Sequence, residues 1–302
     1  MEDKQTTFLT IYEDMKTSLG LAKNNMLSCL LANLGMALLL GVIFAIVSIP
    51  IIAAVVLTGP YDWMLMGQMM AVWSQNNPWA IGGIRLIFLI PIASLFLIVV
   101  GSIYGISKEV VETGETKAES AFSWFRHNFL TFAGAGVMLT LIIIVPQLVV
   151  GGAISIAMNY QVPLVISQIL SAASFVYTFI TVGLCAMVLP AIVNDQGVQE
   201  AFKESFSLAI EHFDRVFGLM TGLLVFFVLL FSPTIVWGLI AGPRPMMVLN
   251  PASIAVGVYT VITGILTILL FLPMAIISLV KVYHELTGGK IVKETEPEIP
   301  MI

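Results

Sequence analysis

Six apolar runs govern what this chain can fold into. They cover about 26–57, 80–106, 129–158, 164–193, 217–241 and 252–282, and each exceeds the roughly 20 residues a helix needs to cross a hydrocarbon core. Inside a bilayer, backbone N–H and C=O groups find no water. Only helices and closed barrels pair them all. A barrel would show short alternating segments, and none are present. The expected fold is therefore all-α: a polytopic membrane protein with six transmembrane helices. Composition agrees, with 59% of the 302 residues apolar and 10% charged, where a soluble domain carries about a quarter. The first apolar run is too long for a signal-peptide core, so no cleavable leader is expected. Cys29 and Cys185 both lie in apolar runs and show neither disulfide nor metal spacing.

The charges between the runs predict the topology. Lys4, Lys16, Lys23, Lys108, Lys117, Arg126, Lys203, Arg215, Lys281, Lys290 and Lys293 fall on one side of a six-span arrangement, against Arg85 and Arg244 on the other. That asymmetry predicts cytoplasmic N- and C-termini in the cell membrane. The opposite side is nearly neutral, and Trp63, Trp73 and Trp79 there predict an interfacial aromatic belt.

The charged stretches are also patterned. In 7–24, Phe8, Ile11, Tyr12, Met15, Leu19 and Ala22 recur at spacings of three and four, which predicts one apolar helix face lying flat on the membrane. Asp14 and Lys16 fall off that face. In Asn194–Phe217 the same stripe runs through Val198, Phe202, Phe206, Ala209, Phe213 and Phe217. Sliding the chain by 187 places Ile11, Met15, Lys16, Ser18, Leu19, Leu21, Ala22, Met26 and Gly35 on Val198, Phe202, Lys203, Ser205, Phe206, Leu208, Ala209, Phe213 and Gly222. Five of those pairs are identical. A slide of 103 gives a weaker match, with Leu19, Ala22, Asn25 and Met26 on Phe122, Phe125, Asn128 and Phe129. The expectation is three hairpin units, each preceded by a cytoplasmic amphipathic helix. They would occupy about 7–106, 107–193 and 194–283 of a single transmembrane domain, 1–283, followed by a loose polar tail, 284–302.

Few residues carry chemistry. No Asp, Glu, Lys or His lies deep in a run, which argues against an ion-coupled carrier. Arg85, just inside the second run, either snorkels to headgroups or contacts an anionic group such as lipid phosphate. Each run holds one proline: Pro50, Pro91, Pro146, Pro190, Pro233 and Pro273. A span proline frees the carbonyl four residues earlier, either for curvature or to build a broken-helix site. Gln147, next to Pro146, and Asn33 are candidates for a polar pocket, or for amide bonds between helices. The spacings Gly101–Gly105, Gly218–Gly222 and Gly238–Gly242 allow close helix approach, within the chain or with another subunit. His127, His212 and His284 sit at the charged edge without metal-like spacing. No nucleophile, nucleotide or metalloprotease motif is present. The chain is thus expected to be no enzyme, with no catalytic, cofactor or metal residue.

The run Leu189-Pro-Ala-Ile-Val, followed by Gly197-Val, Glu200-Ala-Phe, Ser205 and Leu208, resembles poorly characterised prokaryotic six-span families. These include archaeal proteins and the membrane domain attached to some glycerophosphodiester phosphodiesterases. The resemblance covers about 180–225 and implies a membrane scaffold without activity, because the phosphodiesterase chemistry resides in a separate soluble domain. The expected function is a membrane scaffold or an accessory subunit of a membrane complex. It would contact lipids and a protein partner or a second copy, and no nucleic acid, through a cytoplasmic docking face of Glu200, Lys203, Glu204, Glu211 and Arg215. The alternative is a transporter or lipid-translocating protein that uses the kinked spans as a pathway.

Overall fold

A computed structural model of the chain describes residues 8–57, 68–69, 72–73, 78–158, 162–241 and 251–292, with the side chains of 47, 50–57 and 78–87 outside that set. Among the described residues all regular structure is helical and no strand occurs. In chain order the elements are α1 (Phe8–Asn24), α2 (Met26–Leu57), α3 (Pro78–Thr113), α4 (Ser120–Ile143), α5 (Val145–Ala157), α6 (Leu164–Leu184), α7 (Val188–Val193), α8 (Val198–Glu211), α9 (Phe213–Ala241), α10 (Pro251–Leu266), a π-helical turn (Thr267–Phe271) and α11 (Leu272–Thr287). Six stretches of the described residues are long and apolar enough to cross a membrane: Met26–Ile46, Phe88–Thr113, Ser120–Ala157, Leu164–Val193, Phe213–Ile240 and Pro251–Thr287. The chain is a multi-pass α-helical membrane protein.

The even-numbered spans are central. About half of each is buried, whereas little of the odd-numbered spans is. The core sits toward one end, where Ile98, Val110, Phe132, Met187, Ile192, Ala209, Leu219 and Ile277 are buried. At that end α1 packs across α11, α8 across α7, and α4 along α3. The chain's first and last described helices therefore meet, and we call this the collar end. The other is the connector end. Chain interruptions mark the collar: the helices break at Asn25 and His212, and Asn128 takes non-helical angles (φ −107°, ψ 17°) inside α4. Slides of 103 and 187 carry Asn25 onto Asn128 and His212.

Three sequence expectations need correction. The apolar stripe of α8 does not meet lipid along its length. Phe202, Ala209 and Phe217 are buried in the protein core, and only Phe213 of that stripe is largely exposed. The reason is a break in the fourth span at 185–187, which leaves backbone groups without helical partners. Ser205 of α8 pairs two of them, donating to the Leu184 carbonyl (2.6 Å) and accepting from the Met187 N–H (3.2 Å). In α1 the buried face is Asp14, Ser18 and Ala22, while Phe8 and Tyr12 are exposed. Arg215 of α9 and Lys281 of α11 draw in Asp14, which periodicity assigned to water. Finally, the boundary at 283/284 falls inside α11. His284 is buried, Gly288 closes the helix in the left-handed region (φ 75°), and the Val292 N–H donates to the Val111 carbonyl at 2.9 Å. The first residues of the tail are thus part of the collar.

Candidate functional site

A cleft of about 790 Å³ opens at the connector end between α5 and α6, lined by Pro146, Gln147, Leu148, Val150, Leu170 and Phe175 together with Ser171, Ser174, Tyr177 and Thr178. Its origin is Pro146. With no N–H at that position the helix breaks at Ile144, between α4 and α5. An unpaired carbonyl in an apolar medium costs several kcal/mol, so the freed groups must find donors. The Tyr177 hydroxyl donates to the Ile142 carbonyl (2.5 Å), the group the proline released. Gln147 Nε2 donates to the Ile143 carbonyl (2.8 Å) and to Thr178 Oγ1 (2.9 Å). Ser174 Oγ donates to Gln147 Oε1 (2.5 Å). A backbone defect has become a polar patch within an otherwise apolar cleft.

A related arrangement closes the third hairpin. Pro233 interrupts pairing in α9. There Tyr259 donates to the Leu230 carbonyl (2.7 Å), Ser232 to the Leu229 carbonyl (2.8 Å), and Thr234 pairs with Thr260 (2.8 Å). The residue after each proline meets the residue after each tyrosine. The sequence carried a signal for this that the amphipathic repeat did not use: Tyr177-Thr-Phe-Ile-Thr181 and Tyr259-Thr-Val-Ile-Thr263 differ at one position. From tyrosine to the following proline (Pro190, Pro273) the second copy is one residue longer, and it contains the π-helical turn. A π-bulge is how a helix absorbs one inserted residue.

Asn33 does not join this cleft. It lies on α2, and both its Oδ1 and Nδ2 are buried without a hydrogen-bond partner. Arg85 lies in α3, but its side chain is outside the described residues, as are Trp63 and Trp79 and the connector around Arg244. No group of His, Cys, Asp and Glu among the described residues has a metal-holding arrangement. The glycine pair Gly101 and Gly105 faces inward. A Cβ there would fall 2.4 Å from the Phe132 ring and 2.3 Å from Trp124, so this pair serves packing inside the chain.

The expected docking residues divide. Glu200, Lys203 and Glu211 are exposed on α8. Glu204 turns inward, accepting from Tyr283 (2.9 Å) and from Gln196. Arg215 belongs to an ion cluster at the centre of the collar. It lies 2.6 Å from Asp14 of α1 and also pairs with Glu285 of α11, and Lys281 is 3.3 Å from Asp14. Burial, and then the nearby Glu285, hold the Asp14 carboxyl above its ordinary value, offset in part by Arg215 and Lys281. No signal within α1 alone marks Asp14, because its partners lie more than 200 positions away.

Comparison with protein-family models, curated proteins and solved structures finds no match.

Proposed function

We propose that this protein is a non-enzymatic membrane scaffold or accessory subunit of a membrane complex, set in the cell membrane with both termini in the cytoplasm. The observation that carries the reading is the two-sided use of α8. One face is locked into the core through Phe202, Ser205 and Ala209. The other presents Glu200, Lys203 and Glu211 to solvent. A charged row on a rigid base suits polar recognition of a partner, because little ordering entropy is lost on binding. The threefold repeat belongs to the same proposal, with one collar helix leading into each hairpin. The aligned interruptions at Asn25, Asn128 and His212 support it.

Purification from native membranes tests the reading. The expected result is a stoichiometric protein partner that is lost when Glu200→Lys, Lys203→Glu and Glu211→Lys are combined. A lone species carrying only bulk lipid overturns the proposal. Reporter fusions at the two termini test the orientation, and an external C-terminus overturns it. The cleft at Gln147 favours a second reading, a lipid-handling role within the membrane.

A further inference from the structure

We infer that the cleft beside Pro146 binds one long-chain amphiphile whose polar end is a neutral hydroxyl. The argument starts from hydrogen-bond accounting. Carbonyl oxygens only accept, so the Gln147 atom facing the Ile143 carbonyl is the amide nitrogen, and Oε1 faces Ser174. Both Gln147 N–H donors are then used, on Ile143 and Thr178. Ser174 donates to Gln147, Tyr177 to the Ile142 carbonyl, Thr178 to the Ser174 carbonyl and Ser171 to the Ser167 carbonyl. Every side-chain donor on the cleft wall is committed within the protein. What remains toward the cleft are lone pairs on Gln147 Oε1 and on the hydroxyl oxygens. A ligand head that only accepts, such as an ester or ether oxygen, meets acceptors and gains nothing. A hydroxyl donates into them.

Charge and surroundings narrow the class. Among the described residues the lining holds no Asp, Glu, Lys, Arg or His, so nothing attracts a cation or anion in particular. The cleft lies within stretches apolar enough to cross a membrane, and Leu148, Val150, Leu170 and Phe175 supply an apolar wall for a chain. The third hairpin serves as an internal control. It closes its proline interruption with Ser232 and Tyr259 on the Leu229 and Leu230 carbonyls and joins its helices through Thr234 and Thr260, and it has Val256 where Ser174 stands three residues before the tyrosine. Closing the break therefore does not require the Gln147–Ser174 pair, and that pair is the ligand-facing addition. Binding here rests on the cleft alone and does not depend on the scaffold reading.

The test uses the full-length protein in phosphatidylcholine nanodiscs with two photoreactive C16 probes, a diazirine-bearing alcohol and its methyl ether, which cannot donate. The expected result is alcohol labelling mapped to 146–150 and 170–178, exceeding ether labelling there roughly five- to tenfold, the scale of one net hydrogen bond. In Gln147→Leu/Ser174→Ala the two probes should label equally, whereas Leu170→Trp should block both. Equal labelling of the unmodified protein by alcohol and ether overturns the proposal, whether or not the variants fold. Absence of labelling in the cleft by either probe, as when a partner helix fills it, overturns it too.

Discussion

The collar end and the connector end are built from the same helices by opposite means. Toward the collar, glycines let neighbouring helices approach closely. A Cβ on Gly136 would sit 2.6 Å from the Ser94 Cα, one on Gly183 2.4 Å from the Phe217 ring, and one on Gly222 2.9 Å from Ile11. At the connector end, a Cβ on Gly151, Gly152, Gly238 or Gly257 would meet nothing within 4 Å among the described residues. The polar groups differ in parallel. Collar polarity is ionic and joins elements far apart in sequence: Asp14, Arg215, Lys281 and Glu285 tie α1 to α9 and α11. Connector polarity, where described, is neutral and local to the α4–α6 and α9–α10 pairs, and it repairs proline breaks. Lipid chains can solvate a loosely packed apolar end, so nothing forces it closed. Charges at the collar desolvate only in exchange for partners, so that end closes tightly or not at all.

Breaking the collar should have the largest effect. Arg215→Ala leaves Asp14 and Glu285 facing each other with Lys281 as the remaining cation, and we expect a loss of about 3–5 kcal/mol by unfolding in mixed micelles. A loss under about 1 kcal/mol would show that the cluster is solvated and that the two ends are held together alike. Next in size is a glycine pair of tests. Gly105→Val drives into Trp124, which is held by its 2.9 Å bond to Glu109, and should cost about 1–3 kcal/mol. Gly152→Ala, in open space, should be neutral or gain up to about 1 kcal/mol of helix propensity. Equal costs at the two sites would erase the packing contrast.

The smallest effect is electrostatic. Because the folded-state value of the Asp14 carboxyl is raised, the folded protein binds a proton there more readily than the unfolded chain. Stability from this group falls as pH rises from its ordinary value, 3.8, through the raised one. Relative to Asp14→Asn, the native protein should gain thermal stability as pH is lowered through that window. The opposite slope would mean that Arg215 and Lys281 outweigh burial.

Much of the fold was legible in the chain. Six spans follow from run length, and the helix interruptions fall where the amphipathic copies align, because a membrane restricts segments to helices and charge marks where they leave it. Gln147 was legible as well, since a proline and an amide in an apolar run announce a carbonyl needing a donor. Tyr177 was legible only through its recurrence with Tyr259. Asp14 and Ser18 were not, because helical periodicity ranks faces by hydrophobicity and cannot see a cation arriving from another helix. Arg215 misled for the same reason: on its own segment it looks solvated.

By itself, then, the amino-acid sequence determined the number, approximate length and order of the spans and the proline at which the third one breaks, all consequences of local chemistry in an apolar solvent. Tertiary structure decided which face of each collar helix is buried, which end packs tightly, and that Pro146 opens onto a cleft with acceptors to spare. Those outcomes depend on groups brought together from distant parts of the chain, whose pairing energies exceed the local preferences they override.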